Sequence, residues 1–183
     1  MYTVTKNNKL ISYILMAIGL VAIVFGFIND AHRAWPSLMV NNYFFLAISA
    51  FAIFFIALQY VSEAAWAIPF KRLAEGITSY FLVGGIIMLF IIVAGKLHWN
   101  HIWHWMADGI MDPNDEHYDP LIAGKEAYLN FPFFFIRALA YIFGWWYASK
   151  RLIALSRKED IEGGLSNYKK SITLSAIFIV FFG

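Results

Sequence analysis

The stretch LISYILMAIGLVAIVFGFI, from Leu10 to Ile28, runs for nineteen residues without a charge or a proline. A helix over it is about 28 Å long at about 1.5 Å per residue, close to the hydrocarbon thickness of a bilayer. Lys6 and Lys9 precede it as they would in a secretory signal. The run is too long for a signal core, however, and no small-x-small cleavage site follows, so it reads as a retained first span.

Similar runs recur along the chain. Full spans are expected over 10–28, 43–66, 76–95 and 131–149, and a fifth, partial span over 171–183. Helices are required, because lipid offers backbone N–H and C=O groups no partner outside the segment and the runs lack the alternation of barrel strands. The fold class predicted is therefore all-α, a polytopic transmembrane helix bundle forming one domain over 1–183. The last run is about 18 Å long as a helix, too short to cross, so the sequence predicts a truncated chain with more helices to follow. Composition agrees: hydrophobic residues make up 61%, aromatics 19% and charged residues 14%, against roughly a quarter charged in soluble domains.

Lys and Arg sort by loop. With the N-terminus cytoplasmic, Lys6, Lys9, Lys71, Arg72, Lys150, Arg151, Arg157, Lys158, Lys169 and Lys170 fall on that side, ten of the fourteen basic residues. Arg33, Lys96 and Lys125 fall on the other, the orientation that the positive-inside rule favours. The loop 96–130 is then periplasmic and carries six of the twelve acids. The link 150–170 is read as a flexible, basic cytoplasmic loop. A net charge of +2, dispersed in this way, gives no nucleic-acid footprint. Cysteine is absent, which excludes thiolate zinc, cysteine-held iron–sulfur clusters and covalent c-type haem within the sequence.

Small residues suggest helix-facing rows: Ser12, Gly19 and Gly26; Ala50, Ala57 and Ala64; Ala140, Gly144 and Ala148. Such rows let backbones approach. Arg137 lies inside the fourth span, where a guanidinium needs a partner or a polar cavity. It shares a face with Ala140, Tyr141 and Gly144, and the readings are an acid on another helix, a bound head group or quinone carbonyl, or an arginine that snorkels to the interface or holds a neighbouring loop. Gln59, Ser62, Glu63 and Trp66 fall at i, i+3, i+4 and i+7, one face of the second span. A carboxylate there could take up protons or orient a ligand. The alternative is interfacial anchoring, with Trp66 in the aromatic belt, Pro69 ending the helix, and Lys71 and Arg72 meeting phospholipid head groups.

The segment from His98 to Ile110 reads as a short surface helix, with Trp99, Trp103, Met106 and Ile110 on one side and His101, His104 and Asp108 on another. His and Asp at that spacing can converge on a metal, yet HxxH alone lacks a zinc-enzyme pattern, and no metal centre is expected. None of the five histidines lies in a span, which argues against a membrane haem pair. Asn130 before Phe131 and Pro132 has the form of a helix start. No hydrolase triad, phosphate loop or pair of catalytic carboxylates is present, so no catalytic residue is assigned.

Two blocks, ALQYVSEAAWAIPFKRLAEG over Ala57–Gly76 and KEAYLNFPFFFIRALAYIFGWW over Lys125–Trp146, resemble a multi-pass membrane component of bacterial alternative complex III. That component is similar to the NrfD-type membrane proteins of the polysulfide reductase class. The HWNHIWHWMADG segment between the blocks looks similar too, and the likeness rests on Trp66, Lys71, Arg72, Tyr128, Asn130, Pro132 and Arg137. It implies a multi-pass subunit of about ten helices in a bacterial inner membrane, of which this chain is roughly the first half. It also implies a respiratory quinol:cytochrome c or oxidase complex, with an NrfD-like paralogue and with haem c and iron–sulfur clusters in partner subunits. No redox cofactor is expected on the chain itself, although a quinone could bind. Carried over by position, Glu63 is the proton-path candidate, with Gln59 beside it, and Arg137, His101, Asp108 and Tyr141 are candidates at the periplasmic end. Two readings compete with this one: an ion or solute transporter lined by Gln59, Glu63 and Arg137, and a lipid-acting enzyme using the periplasmic histidines as bases.

Overall fold

Seven α-helices follow one another in the computed structural model, which describes residues 5–182, and none of those residues forms a strand. They are α1 (Lys6–Asn29), α2 (Ala31–Val61), α3 (Ile68–Ile77), α4 (Tyr80–Lys96), the single turn α5 (Pro120–Ala123), α6 (Phe131–Glu162) and α7 (Ser166–Phe182). Short 3-10 turns cover Ala65–Ala67 and His104–Met106. Three helical segments are long and apolar enough to cross a membrane: Lys6–Asn29, Ala31–Val61 and Ala65–Lys96. The span expected over 131–149 lies within the 32-residue α6, but Arg137 and its tyrosines and tryptophans make it less apolar than those three. Gly183, the end of the expected fifth run, lies outside the described residues.

The chain divides into two compact units, Met1–Asn41 and Asn42–Gly183. The polar and aromatic contacts that tie distant segments together below all join residues of the second unit. In the first unit α1 ends at Asn29, and the Asp30 carboxylate accepts from the Arg33 N–H at 3.1 Å. That bond caps the start of α2, which is why the helix begins at Ala31 rather than near Tyr43. Phe27 and Trp35 meet edge to face at 4.9 Å.

In the second unit α2 stops at Val61, five residues short of the expected Trp66. The Ala64 N–H reaches back to the Gln59 carbonyl at 3.1 Å and the Glu63 N–H to the Tyr60 carbonyl at 3.3 Å, the bonding pattern of a Schellman stop. Its left-handed position is occupied by Glu63, at φ 50°. The end of α4 repeats the pattern, with Trp99 N–H to Ala94, His98 N–H to Gly95 and His98 at φ 58°. Pro69 lies in the first turn of α3, so it starts a helix instead of ending one, and its missing N–H costs nothing there.

Helix α6 begins as expected, with the Asn130 amide oxygen accepting from Phe133 N–H at 3.0 Å and a proline in the first turn. It then runs beyond Ser149 to Glu162. The supposed flexible loop 150–170 is therefore mostly helix, and the chain turns at Gly163 and Gly164, both at positive φ. Residues 150–162 are charged but rich in good helix formers; charge keeps a segment out of lipid without unwinding it.

Close packing sits where small residues allow it. A side chain on Gly85 would meet Ile142 of α6, and one on Gly144 would meet Phe181 of α7. Ser171 and Ser175 of α7 are fully buried, and Trp145 stacks on Phe182 at 4.5 Å. Ala50, Ala57 and Ala148 are buried as their rows implied, whereas Ala64 falls after the helix stop. Side chains on Gly19 and Gly26 would meet nothing within 4 Å. Buried polar groups find partners between helices: Asn42 donates to the Gly84 carbonyl at 3.0 Å and accepts from the Tyr80 hydroxyl at 2.8 Å, while Ser49 donates to the Ile77 carbonyl at 3.0 Å.

Candidate functional site

A cavity of about 290 Å³ opens where the end of α2, the start of α3 and the facing parts of α6 and α7 come together. Most of its wall is apolar or aromatic, including Phe55, Tyr60, Ile68 and Tyr168; its polar lining is Gln59, Glu63, Lys71 and Glu159. The fold thus collects Gln59 and Glu63, the two site residues expected near this end. It does not collect them by a shared helix face. Glu63 is beyond the helix, and its left-handed turn redirects the chain so that Ala64, Ala65 and Ala67 close one side of the cavity.

The Lys71 ammonium pairs with Glu159 at 3.2 Å and lies 4.8 Å over the Tyr60 ring, and the Tyr60 hydroxyl donates to the same carboxylate at 3.4 Å. Lys71 is thereby committed to α6 rather than to head groups. Burial raises the Tyr168 phenol above its ordinary value of 10.0, with the fields of Glu63 and Glu159 adding to the effect. It therefore stays protonated and can donate. The Gln59 amide oxygen is buried and accepts no hydrogen bond, and an orphan acceptor costs about 1–3 kcal/mol.

A second polar cluster joins α3 to α6. Arg72 pairs with Glu75 at 2.5 Å and with Asp160, and donates to Ser156 at 3.1 Å; Ser156 donates to the other Glu75 oxygen at 2.5 Å. The Glu75 side chain is only 7% exposed. Sequence reasoning passed over Glu75, Glu159 and Asp160. The one available signal was the i, i+3 spacing of Arg72 and Glu75; the partners on α6 are over eighty residues away.

The remaining expected residues are elsewhere. Arg137 donates to the Tyr128 carbonyl at 2.9 Å and lies 3.5 Å over the Tyr128 ring and 4.5 Å over that of Phe133. Of the readings weighed, this arrangement matches the arginine that holds a neighbouring loop. Its Nε is buried without a hydrogen-bond partner. Tyr141 packs on Trp145 and Phe181. The surface helix expected from His98 to Ile110 is replaced by turns around His104–Met106, because the left-handed His98 and the buried Asn100, which donates to the Ile91 carbonyl at 3.1 Å, fold the chain back onto α4. Met106 and Ile110 are buried, but Trp99, placed on the same side of the expected helix, is exposed. His98 approaches Asp108 at 3.7 Å, and His101, between them in the chain, is exposed. Among the described residues no three His, Asp or Glu side chains are grouped to hold a metal.

No family model matches the sequence, and no curated protein matches it either. The fold and site define a helical chain with, among the described residues, three segments long and apolar enough to cross a membrane and a polar-rimmed cavity at the junction of α2 and α3.

Proposed function

We propose that the chain is a membrane subunit of a respiratory quinol oxidoreductase complex, in which the cavity beside Glu63 takes up protons on the cytoplasmic side. The observation that carries this reading is the placement of Glu63. A carboxylate occupies a left-handed helix stop where glycine is the relaxed choice, on the rim of a cavity lined by Gln59, Lys71 and Glu159. Backbone strain of this kind persists at functional positions, where the side chain is worth more than the relaxed turn. Ionisable groups within apolar spans mark ion and proton pathways by default, and Lys71 lies within the Ala65–Lys96 segment on the wall of this cavity.

In this reading Glu63 exchanges protons with water at the mouth, and the Tyr60, Glu159 and Lys71 set hands them inward along hydrogen bonds. The haem and iron–sulfur clusters that accept the electrons belong to partner subunits. The support is the resemblance of the Ala57–Gly76 and Lys125–Trp146 blocks, together with this cavity. Purifying the tagged chain from its native membrane in mild detergent is the test. Haem-bearing partners and quinol-dependent cytochrome reduction are expected, with Glu63→Gln slowing turnover. A functional monomer that moves an ion or solute by itself in liposomes would replace this proposal with the transporter reading.

A further inference from the structure

We infer that the cavity at the α2–α3 junction binds a flat apolar ring carrying a hydroxyl, which donates its hydrogen bond to the Gln59 amide. Three features of the wall lead there. Its area is mostly hydrophobic, with the rings of Phe55, Tyr60 and Tyr168 contributing flat faces, which suits an apolar, ring-sized guest. Its charges are two carboxylates, Glu63 and Glu159, against the single ammonium of Lys71, which Glu159 already holds. An anionic guest is therefore disfavoured and a neutral donor favoured. Gln59 lines the cavity with an amide oxygen that no group of the protein satisfies. The terminal torsion of glutamine is soft, so a small rotation presents that oxygen to a guest. The Gln59 oxygen is thus the buried polar atom of the wall that a donated proton would satisfy.

Naming a hydroquinone as the natural source of that hydroxyl rests on the respiratory reading; the donor requirement rests on the geometry alone. The two can fail separately. The full chain in phosphatidylcholine nanodiscs is titrated with 2-naphthol and with 2-methoxynaphthalene, which has the same ring system and no donor. We expect naphthol to bind about tenfold more tightly, the scale of one satisfied hydrogen bond, and Gln59→Leu to abolish the difference. 1,4-Naphthohydroquinone should displace naphthol at lower concentration than 1,4-naphthoquinone, which can accept from Tyr168 but leaves the Gln59 oxygen unsatisfied.

Equal binding of the two naphthalenes overturns the inference, and this comparison uses the native chain, so it stands even if the variant misfolds. A preference that survives Gln59→Leu overturns it too, as does displacement of naphthol by phosphatidylethanolamine in the discs, which would assign the cavity to a lipid ammonium. A naphthol preference without displacement by the hydroquinone overturns the hydroquinone assignment. Purification without haem partners, with the naphthol preference intact, sinks the respiratory reading and leaves the donor site standing.

Discussion

Replacing Glu63 with glycine should make the protein more stable while removing the carboxylate that the proposed function assigns to proton uptake. Glu63 lies at φ 50°, with its N–H and that of Ala64 closing the Schellman stop of α2. An L-residue in that conformation is less stable by about 1–2 kcal/mol. Glycine relieves the strain but loses about 0.5–1 kcal/mol through its greater freedom in the unfolded chain, leaving a net gain of about 0.5–1 kcal/mol. For a chain of this size that is about 1–4 °C in thermal midpoint. The assay is thermal unfolding in detergent of Glu63→Gly, Glu63→Ala and the native chain. Alanine keeps the backbone strain and should match the native protein, so the glycine effect is isolated from loss of the charge. On the proposed function, quinol-dependent turnover of the intact complex should fall in both variants. A Glu63→Gly protein no more stable than Glu63→Ala refutes the strain argument, and unchanged turnover in both refutes the role of the carboxylate.

Other substitutions probe the packing and the polar clusters. A Cβ on Gly85 would stand 2.6 Å from Ile142 Cγ2, so Gly85→Ala should destabilise by about 1–3 kcal/mol despite better helix propensity, and Ile142→Ala should rescue it. Gly76→Ala, with nothing within 4 Å, should instead stabilise by about 1 kcal/mol; both are read by thermal unfolding. Glu75→Ala removes the carboxylate shared by Arg72 and Ser156, and denaturant unfolding should show a loss of about 1–3 kcal/mol, because Arg72 is half exposed and keeps Asp160. Arg137→Ala frees Tyr128 from its hydrogen bond and ring contact, so proteolysis at Lys125 should accelerate, whereas an unchanged rate would mean the loop is held by other contacts.

The Asp115 carboxyl is held below its ordinary value of 3.8 by bonds donated from the His117 backbone N–H and ring. A depressed value in the folded state contributes order that is present above the ordinary carboxylate range and lost as pH falls through the folded value. Amide protection around Asp115 should therefore be flat at neutral pH and fall on acidification, and Asp115→Asn should remove that dependence.

Much of the helical class was readable from the sequence because it depends on local matters. Runs such as Leu10–Ile28 state their solvent directly, and Asn130 with Pro132 states a helix start, since a cap needs only residues within a few positions. Hydropathy misled where it was taken for conformation: Lys150–Glu162 is hydrophilic and helical, while Ser62–Trp66 continues an apolar run and is not α-helix. The stop at Glu63 was hidden because the residue that signals such stops, glycine, is missing from it.

What the sequence by itself determined was which segments are apolar enough to favour lipid over water, and helix is the form such segments take because lipid would leave the backbone no other partner. Only the tertiary structure decided which charges meet. Lys71 with Glu159, and Glu75 with Ser156, are 88 and 81 residues apart, and no local pattern encodes such pairs. They exist because α6, held by its packing on α4 and α7, carries its charged extension to the polar side chains of α3, a meeting that only the assembled helices bring about.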